Sequence, residues 1–244
     1  MATVPSKSRT IVYPSRDGRP IGETPVHRDL LVELVHGLQR RFAGDPMVYV
    51  SGNMLVYYVP GDKRRHVSPD VWMARGVPNR DRDYFLIWEE PRGPEMVIEL
   101  TSRSTRQEDL EKKFALYRDV LRVSEYFLFD PRAEYLDPPL RGFRLIDGQY
   151  VPIQPIDGRF PSEVAGVHLV RDGQRLVLYD PVTRTRLLTV EEALERADAA
   201  RQQAEAARQN AEAQVRAQDE ELERLRRQLD DLRRTESSSR PAGE

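Results

Sequence analysis

The sequence predicts a mixed α/β domain followed by a long charged helix, and three observations lead to that reading. Apolar residues recur at helical spacing over residues 27–42, at Leu30, Leu31, Leu34, Val35 and Leu38, and again over residues 105–121. Between and beyond these segments lie short runs rich in Val, Ile, Tyr and Phe, bounded by Gly, Pro, Asp and Asn. Near Leu188 the composition changes: every aromatic residue lies upstream, and downstream the chain is mostly Ala, Glu, Gln, Arg, Asp and Leu. The expected division is a globular domain over residues 1–188, a helix over 189–235 and a disordered tail over 236–244.

The elements follow in order. A helix from His27 to Phe42 is stopped by Gly44-Asp45-Pro46. Met47–Val50 and Met54–Val59 flank Ser51-Gly52-Asn53 and predict a hairpin. Strands follow over Val67–Ala74, Tyr84–Trp88 and Glu95–Thr101, then a helix over Thr105–Leu121 and the strand Tyr126–Phe129. The last strand–helix–strand passage is long enough for a parallel crossover. Short strands over Gly142–Ile146, Tyr150–Ile153 and Leu176–Tyr179 are expected as a meander at the domain edge.

In the final segment, Thr189 stands three residues before Glu192, a capping-box spacing that opens a helix. A heptad frame places Leu194, Arg201, Arg208, Val215, Leu222 and Leu229 at one seam position. Ala197, Ala204, Ala211, Gln218, Leu225 and Leu232 take the other. The seam is poor in its middle and good at its end. An exposed single helix and a coiled coil joining copies into a homo-oligomer both remain open.

Bulk properties narrow the function classes. The 244 residues carry a formal net charge of −2, which neither supports nor excludes a nucleic-acid partner. The chain contains no cysteine, so disulfides, zinc-thiolate sites and cysteine nucleophiles are excluded. No apolar leader opens the sequence, and no run approaches the roughly 18 apolar residues of a membrane span. The expectation is a cytoplasmic protein with no membrane partner. His27, His36, His66 and His168 lack metal-ligand spacing, and neither a nucleophile elbow nor a phosphate-binding glycine loop occurs.

Three charged residues stand where burial would have selected something else. Glu99 ends the apolar run Met96-Val97-Ile98, and Leu100 continues it. A carboxylate inside such a strand must be paired, protonated or metal-bound, unless it lies at a solvated strand end. Asp70 follows Pro69, which is ordinary turn chemistry alone and a metal-ligand candidate beside Glu99. On a helical wheel, Leu110, Phe114, Tyr117 and Leu121 share a face, with Leu116 and Val120 on its flank. Lys113 falls between that flank and the cluster, whereas Lys112 lies outside. Its alternative role is an i,i+4 pair with Asp109. Lys63, Arg64, Arg65, Arg75, Arg80 and Arg82 bracket Asp70 as solvated loop charge or as a track for a nucleic-acid backbone.

These residues carry a resemblance. In order, Asp17-Gly18-Arg19-Pro20 with Glu23-Thr24 and His27, Tyr57-Tyr58, Pro69-Asp70-Val71, Trp88-Glu89-Glu90, Glu99-Leu100-Thr101-Ser102 with Ser104-Thr105, Asp109 with Lys113 and Tyr117, and Glu125 to Pro131 resemble the Uma-two family of endonucleases. That family is a bacterial branch of the PD-(D/E)XK, or restriction-endonuclease-like, superfamily. The resemblance spans about residues 10 to 190. It implies a restriction-endonuclease-like mixed sheet flanked by helices, with Asp70 as the motif aspartate and Glu99 as its acidic partner. The superfamily lysine two residues after the acidic one is here Thr101, and the family pattern places a lysine at Lys113 instead. Glu23 or Glu33 is expected to add a further acidic group.

The expected function is hydrolysis of phosphodiester bonds in DNA with Mg²⁺ or Mn²⁺. Asp70 and Glu99 would hold the metal, and Lys113 would orient the attacking water. The alternative is a non-catalytic nucleic-acid or protein-interaction module on the same fold, multimerised by its C-terminal helix.

Overall fold

A computed structural model describes residues 12–15 and 24–238 of the chain, with side chains as far as residue 229. The chain divides into two units, Met1–Val190 and Glu191–Glu244.

The first unit opens with helix α1 (Pro25–Arg41). Thr24 caps it by accepting from the His27 amide at 3.3 Å, and Pro25 occupies the first turn, where a missing N–H costs nothing. Leu30, Leu34, Val35 and Leu38 are buried, as the apolar spacing predicts. The strands that follow are β1 (Val48–Ser51), β2 (Val56–Tyr57), β3 (His66–Val67), β4 (Val71–Arg75), β5 (Phe85–Leu86), β6 (Met96–Leu100) and β7 (Glu125–Phe129). Then come β8 (Leu140–Ile146), β9 (Gln149–Pro152), β10 (Phe160–Ser162), β11 (Val167–Asp172), β12 (Arg175–Asp180) and β13 (Thr185–Arg186).

The main sheet has the order β1-β4-β6-β7-β8-β9. Its neighbours are antiparallel except β6 and β7, which run parallel, as the strand–helix–strand passage predicts. Both faces are covered. Val50, Val71, Met73, Ile98, Phe127 and Phe129 pack with α1 and with Val167, Leu169, Leu176 and Leu178. On the opposite face Tyr49, Trp72, Val97, Tyr126 and Leu128 pack with Tyr117, Leu121 and Phe85. A sheet buried on both sides explains the continuous apolar runs at β6 and β7.

Three expectations are corrected. The predicted hairpin over residues 47–59 does not form: β1 pairs with β4, and β2 enters a separate sheet of order β3-β2-β5. The intervening residues pack on the Asp70 segment instead of folding β1 back. Asn53, at φ 50°, donates its amide to the Pro69 carbonyl at 2.9 Å. A Cβ on Gly52 would lie 2.6 Å from the Asp70 carbonyl oxygen, so only glycine fits there. The predicted strand Val67–Ala74 is split between two sheets, because Pro69 has no amide to continue a ladder. The predicted edge meander is also two structures. Strands β8 and β9 extend the main sheet, while β12 joins β10, β11 and β13 in a second sheet that covers part of the core.

The crossover between β6 and β7 is helical over residues 106–120, close to the predicted range. It is wound with π-type i→i+5 bonding over Glu108–Lys113 and Leu116–Val120. This wider winding displaces residues from an ideal wheel. Val120, expected on the flank of the buried face, is 52% exposed.

The second unit is helix α2 (Val190–Ser238) beyond its first residue. Its 49 residues span about 73 Å. Val215, Leu222, Leu225 and Leu229 are exposed, and Arg208–Glu205 and Arg227–Glu223 pairs at 3.2 Å line its surface. Among the described residues, no helix is long and apolar enough to cross a membrane.

Candidate active site

Strand register brings the two carboxylates together. Val71 pairs with Ile98 and Trp72 with Val97. Continuing that antiparallel register by one pair sets Asp70 opposite Glu99. Residues alternate between faces along a strand, so Asp70 shares its face with Trp72, and Glu99 shares its face with Val97. Both therefore stand on the side packed against the crossover helix. The Leu100 amide, next to Glu99, donates to Asp70 Oδ2 at 2.7 Å.

The helix supplies the cation. Lys113 Nζ donates to Glu99 Oε2 at 2.8 Å and lies 3.0 Å from Asp109 Oδ1. Tyr117 donates its hydroxyl to the other Glu99 oxygen at 2.5 Å. Asp109, Lys113 and Tyr117 are spaced four apart, so a single helical strip delivers all three. His27 on α1 places Nε2 3.4 Å from Asp70 Oδ1. The Glu99 and Asp109 side chains are sealed, at 0% and 1% exposure, whereas those of Asp70, His27 and Lys113 each keep 14%. Solvent thus reaches the cluster along its Asp70–His27–Lys113 edge.

Burial sets the electrostatics. It drives the Glu99 carboxyl well above its usual range, and the Asp70 and Asp109 charges add to this against the Lys113 ammonium. Burial raises Asp109 as well, with Lys113 opposing. For Asp70, burial is outweighed by the His27 ring, Lys113 and the Leu100 amide, which together hold its carboxyl below its usual range. Burial disfavours the charged lysine, but Glu99, Asp109 and Asp70 overcome it and push its pKa up. Three buried or nearly buried carboxylates thus face one ammonium.

The negative groups of this cluster are all carboxylate oxygens, the donor type that hard divalent cations take. Among the described residues, no group of three or more His, Asp or Glu side chains is arranged to hold a metal. A cation here would draw on Asp70 and Glu99 and complete its shell with water and phosphate, the habit of Mg²⁺.

The other expected participants fall elsewhere. Glu23 lies outside the described residues. Glu33 pairs with Arg175 of β12 at 2.6 Å and sits about 120° around α1 from His27. Thr101 is buried, and its hydroxyl has no partner. Arg82 is 5% exposed, tied to Glu90 at 2.8 Å and stacked 4.3 Å over Tyr49, so it is a structural cation and not part of a backbone track. Arg64 and Arg65 remain exposed beside Asp62. Asp109, Tyr117 and His27 were without an assigned site role from sequence. The four-residue spacing through Lys113 was the available signal for the first two.

The model of the Uma2 family, described as "Putative restriction endonuclease", matches residues 11–185. The chain belongs to this family. Among solved structures, it is similar to one described as a putative nuclease from Anabaena variabilis, at 15% identity and a TM-score of 0.43. That similarity covers 59% of this chain and 75% of the other. Curated proteins give no match.

Proposed function

We propose that the chain is a divalent-cation-dependent endonuclease that hydrolyses phosphodiester bonds in DNA. The observation that carries this reading is the meeting of Asp70, Glu99 and Lys113. One carboxylate bonds to the amide beside the other, and the ammonium sits 2.8 Å from Glu99. Family membership supports the reaction class.

Asp70 and Glu99 would hold Mg²⁺ or Mn²⁺ through their carboxylate oxygens. When bound, such an ion polarises a phosphoryl oxygen and lowers the pKa of a coordinated water. The chain's own groups do the orienting. The Leu100 amide fixes Asp70, and the Tyr117 hydroxyl fixes Glu99. Lys113 has three N–H donors, and two of the three carboxylates, Glu99 and Asp109, lie within 3.0 Å of it. The third donor serves the attacking water or a phosphate oxygen and offsets charge that develops there. The 14% exposed edge at Asp70 and Lys113 is where a phosphodiester would approach.

The test is incubation of purified protein with supercoiled, linear duplex and single-stranded DNA plus Mg²⁺ or Mn²⁺. Cleavage by the wild type that disappears in Asp70→Ala is expected; cleavage that persists unchanged in that variant sinks the assignment. The exposed Leu222, Leu225 and Leu229 favour a second reading, a non-catalytic module multimerised by α2. DNA affinity without metal-dependent turnover, in a protein that self-associates through α2, would support it.

A further inference from the structure

Lys113 has more counter-charge than one buried ammonium needs. Glu99 accepts from Lys113 through one oxygen and from Tyr117 through the other, so both its oxygens are engaged. Asp109, one turn earlier on the same helix, offers a second carboxylate oxygen 3.0 Å from Nζ. It is 1% exposed, and burying a carboxylate is costly unless its charge is compensated. Its backbone is held from two directions. Tyr126, a buried residue of β7, donates its hydroxyl to the Asp109 carbonyl at 3.0 Å, and the Asp109 amide donates to the Thr105 carbonyl at 2.9 Å. The Asp109 backbone is therefore fixed beside the Lys113 side chain.

A cation taking Glu99 competes with Lys113 for the same carboxylate. Without another partner, the ammonium would have to leave the pocket or remain and repel the ion. We infer that Asp109 is the positioning residue for Lys113: as Glu99 turns to a divalent cation, Asp109 alone retains the ammonium beside it. This rests on the nuclease reading for the cation, and it adds the role of the fourth charge. Asp109 acts through Lys113 and touches neither cation nor substrate.

The test is calorimetric titration of the full-length protein with MnCl₂. In Asp109→Asn the cation must displace Lys113 from its last carboxylate, and the apparent Kd for Mn²⁺ is expected to rise about tenfold or more. In Asp109→Asn/Lys113→Met the competitor is gone, and affinity is expected to return at least to the wild-type value. A role as mere added negative charge predicts the same weakening whether or not Lys113 is present. That result overturns the inference, as does an unchanged Kd in Asp109→Asn or a wild type that takes up no Mn²⁺.

A measurement on the wild type keeps the inference testable should the variants fail to fold. The Lys113 ammonium resonance is expected to stay protected from solvent exchange on saturation with Mg²⁺, and rapid exchange in the loaded protein would overturn the inference. The nuclease reading fails separately, through a DNA digest showing no cleavage by a protein whose Mn²⁺ titrations behave as described.

Discussion

The Asp70 side chain accepts a hydrogen bond at 2.7 Å from the backbone amide of Leu100. This contact joins β4 to β6 at the end of their ladder and holds one carboxylate beside the other. It also separates the two properties of Asp70, its shape and its charge. Asp70→Asn keeps a carbonyl acceptor for the Leu100 amide and removes the charge. The expected outcome is a folded protein whose cleavage rate falls at least 100-fold. Asp70→Ala strands the amide as well and is expected to cost about 1–3 kcal/mol more in stability. Urea denaturation of both variants beside a plasmid-nicking assay checks this; an Asn variant with near-wild-type nicking would remove Asp70 from the chemistry.

Lys113→Met leaves Glu99 and Asp109 buried without their ammonium. Breaking a buried ion pair by removing one partner costs about 3–5 kcal/mol. Adding Glu99→Gln to that background is expected to recover part of the loss, because the remaining charge is then reduced. A double-mutant cycle in urea measures the coupling. Additive losses would show that the two groups do not stabilise one another.

The pH dependence of stability follows from Glu99. Its folded-state pKa is raised above the ordinary 4.5, chiefly by burial. Between 4.5 and that raised value the native state holds more protons than the unfolded chain, so stability falls as pH rises through the window. Asp109 contributes in the same direction above 3.8. Asp70, held low, acts oppositely, and its contribution is lost only as pH falls below 3.8. Glu99→Gln is expected to flatten the decline above pH 4.5. Thermal melts at half-unit pH steps test this, and an equally steep decline in the variant contradicts the assignment.

Gly52→Ala probes the floor beneath Asp70. The added methyl would lie 2.6 Å from the Asp70 carbonyl oxygen and 2.9 Å from Val35 Cγ2, and neither backbone nor packed core yields easily. A loss of about 1–3 kcal/mol is expected, as for other overpacked sites. Nicking activity should fall further than stability explains, because the displaced segment carries Asp70. Full activity in a folded Gly52→Ala protein would show that the Asp70 backbone has room to move.

Much of this was legible in the sequence, for local reasons. The apolar runs at Met96-Val97-Ile98 and Tyr126-Phe127-Leu128-Phe129 identified two strands, the first of the kind buried on both faces, and the intervening helix gave their parallel pairing. The carboxylate at Glu99 stood out because nothing apolar explained it. Pairing between distant strands was not legible. Ser51-Gly52-Asn53 has hairpin chemistry, yet its contacts with Pro69 and Asp70 send β1 and β2 to different sheets. The wheel drawn at α-helical pitch selected Lys113 over Lys112 correctly as the inward-facing lysine. It could not foresee the π winding that exposes Val120. Nor could it tell that Lys113 pairs with both Glu99 and Asp109, where the residues alone offered a site lysine or a local i,i+4 pair as alternatives.

The clustered charges other than His27 all fall between Asp70 and Tyr117, a continuous passage of chain through β4, β6 and the crossover helix. They consequently form one continuous block of sequence. The second sheet, β10 to β13, packs its apolar face against the core, and Ser162 of β10 also donates its hydroxyl to Met96 Sδ of β6 at 3.3 Å. Its turns over residues 172–175 and 181–184 are exposed and can diverge, lengthen or acquire new partners while the charged passage stays intact. Related chains should differ most there, and a graft of that sheet's turns from one relative to another should leave the carboxylate–lysine geometry unchanged.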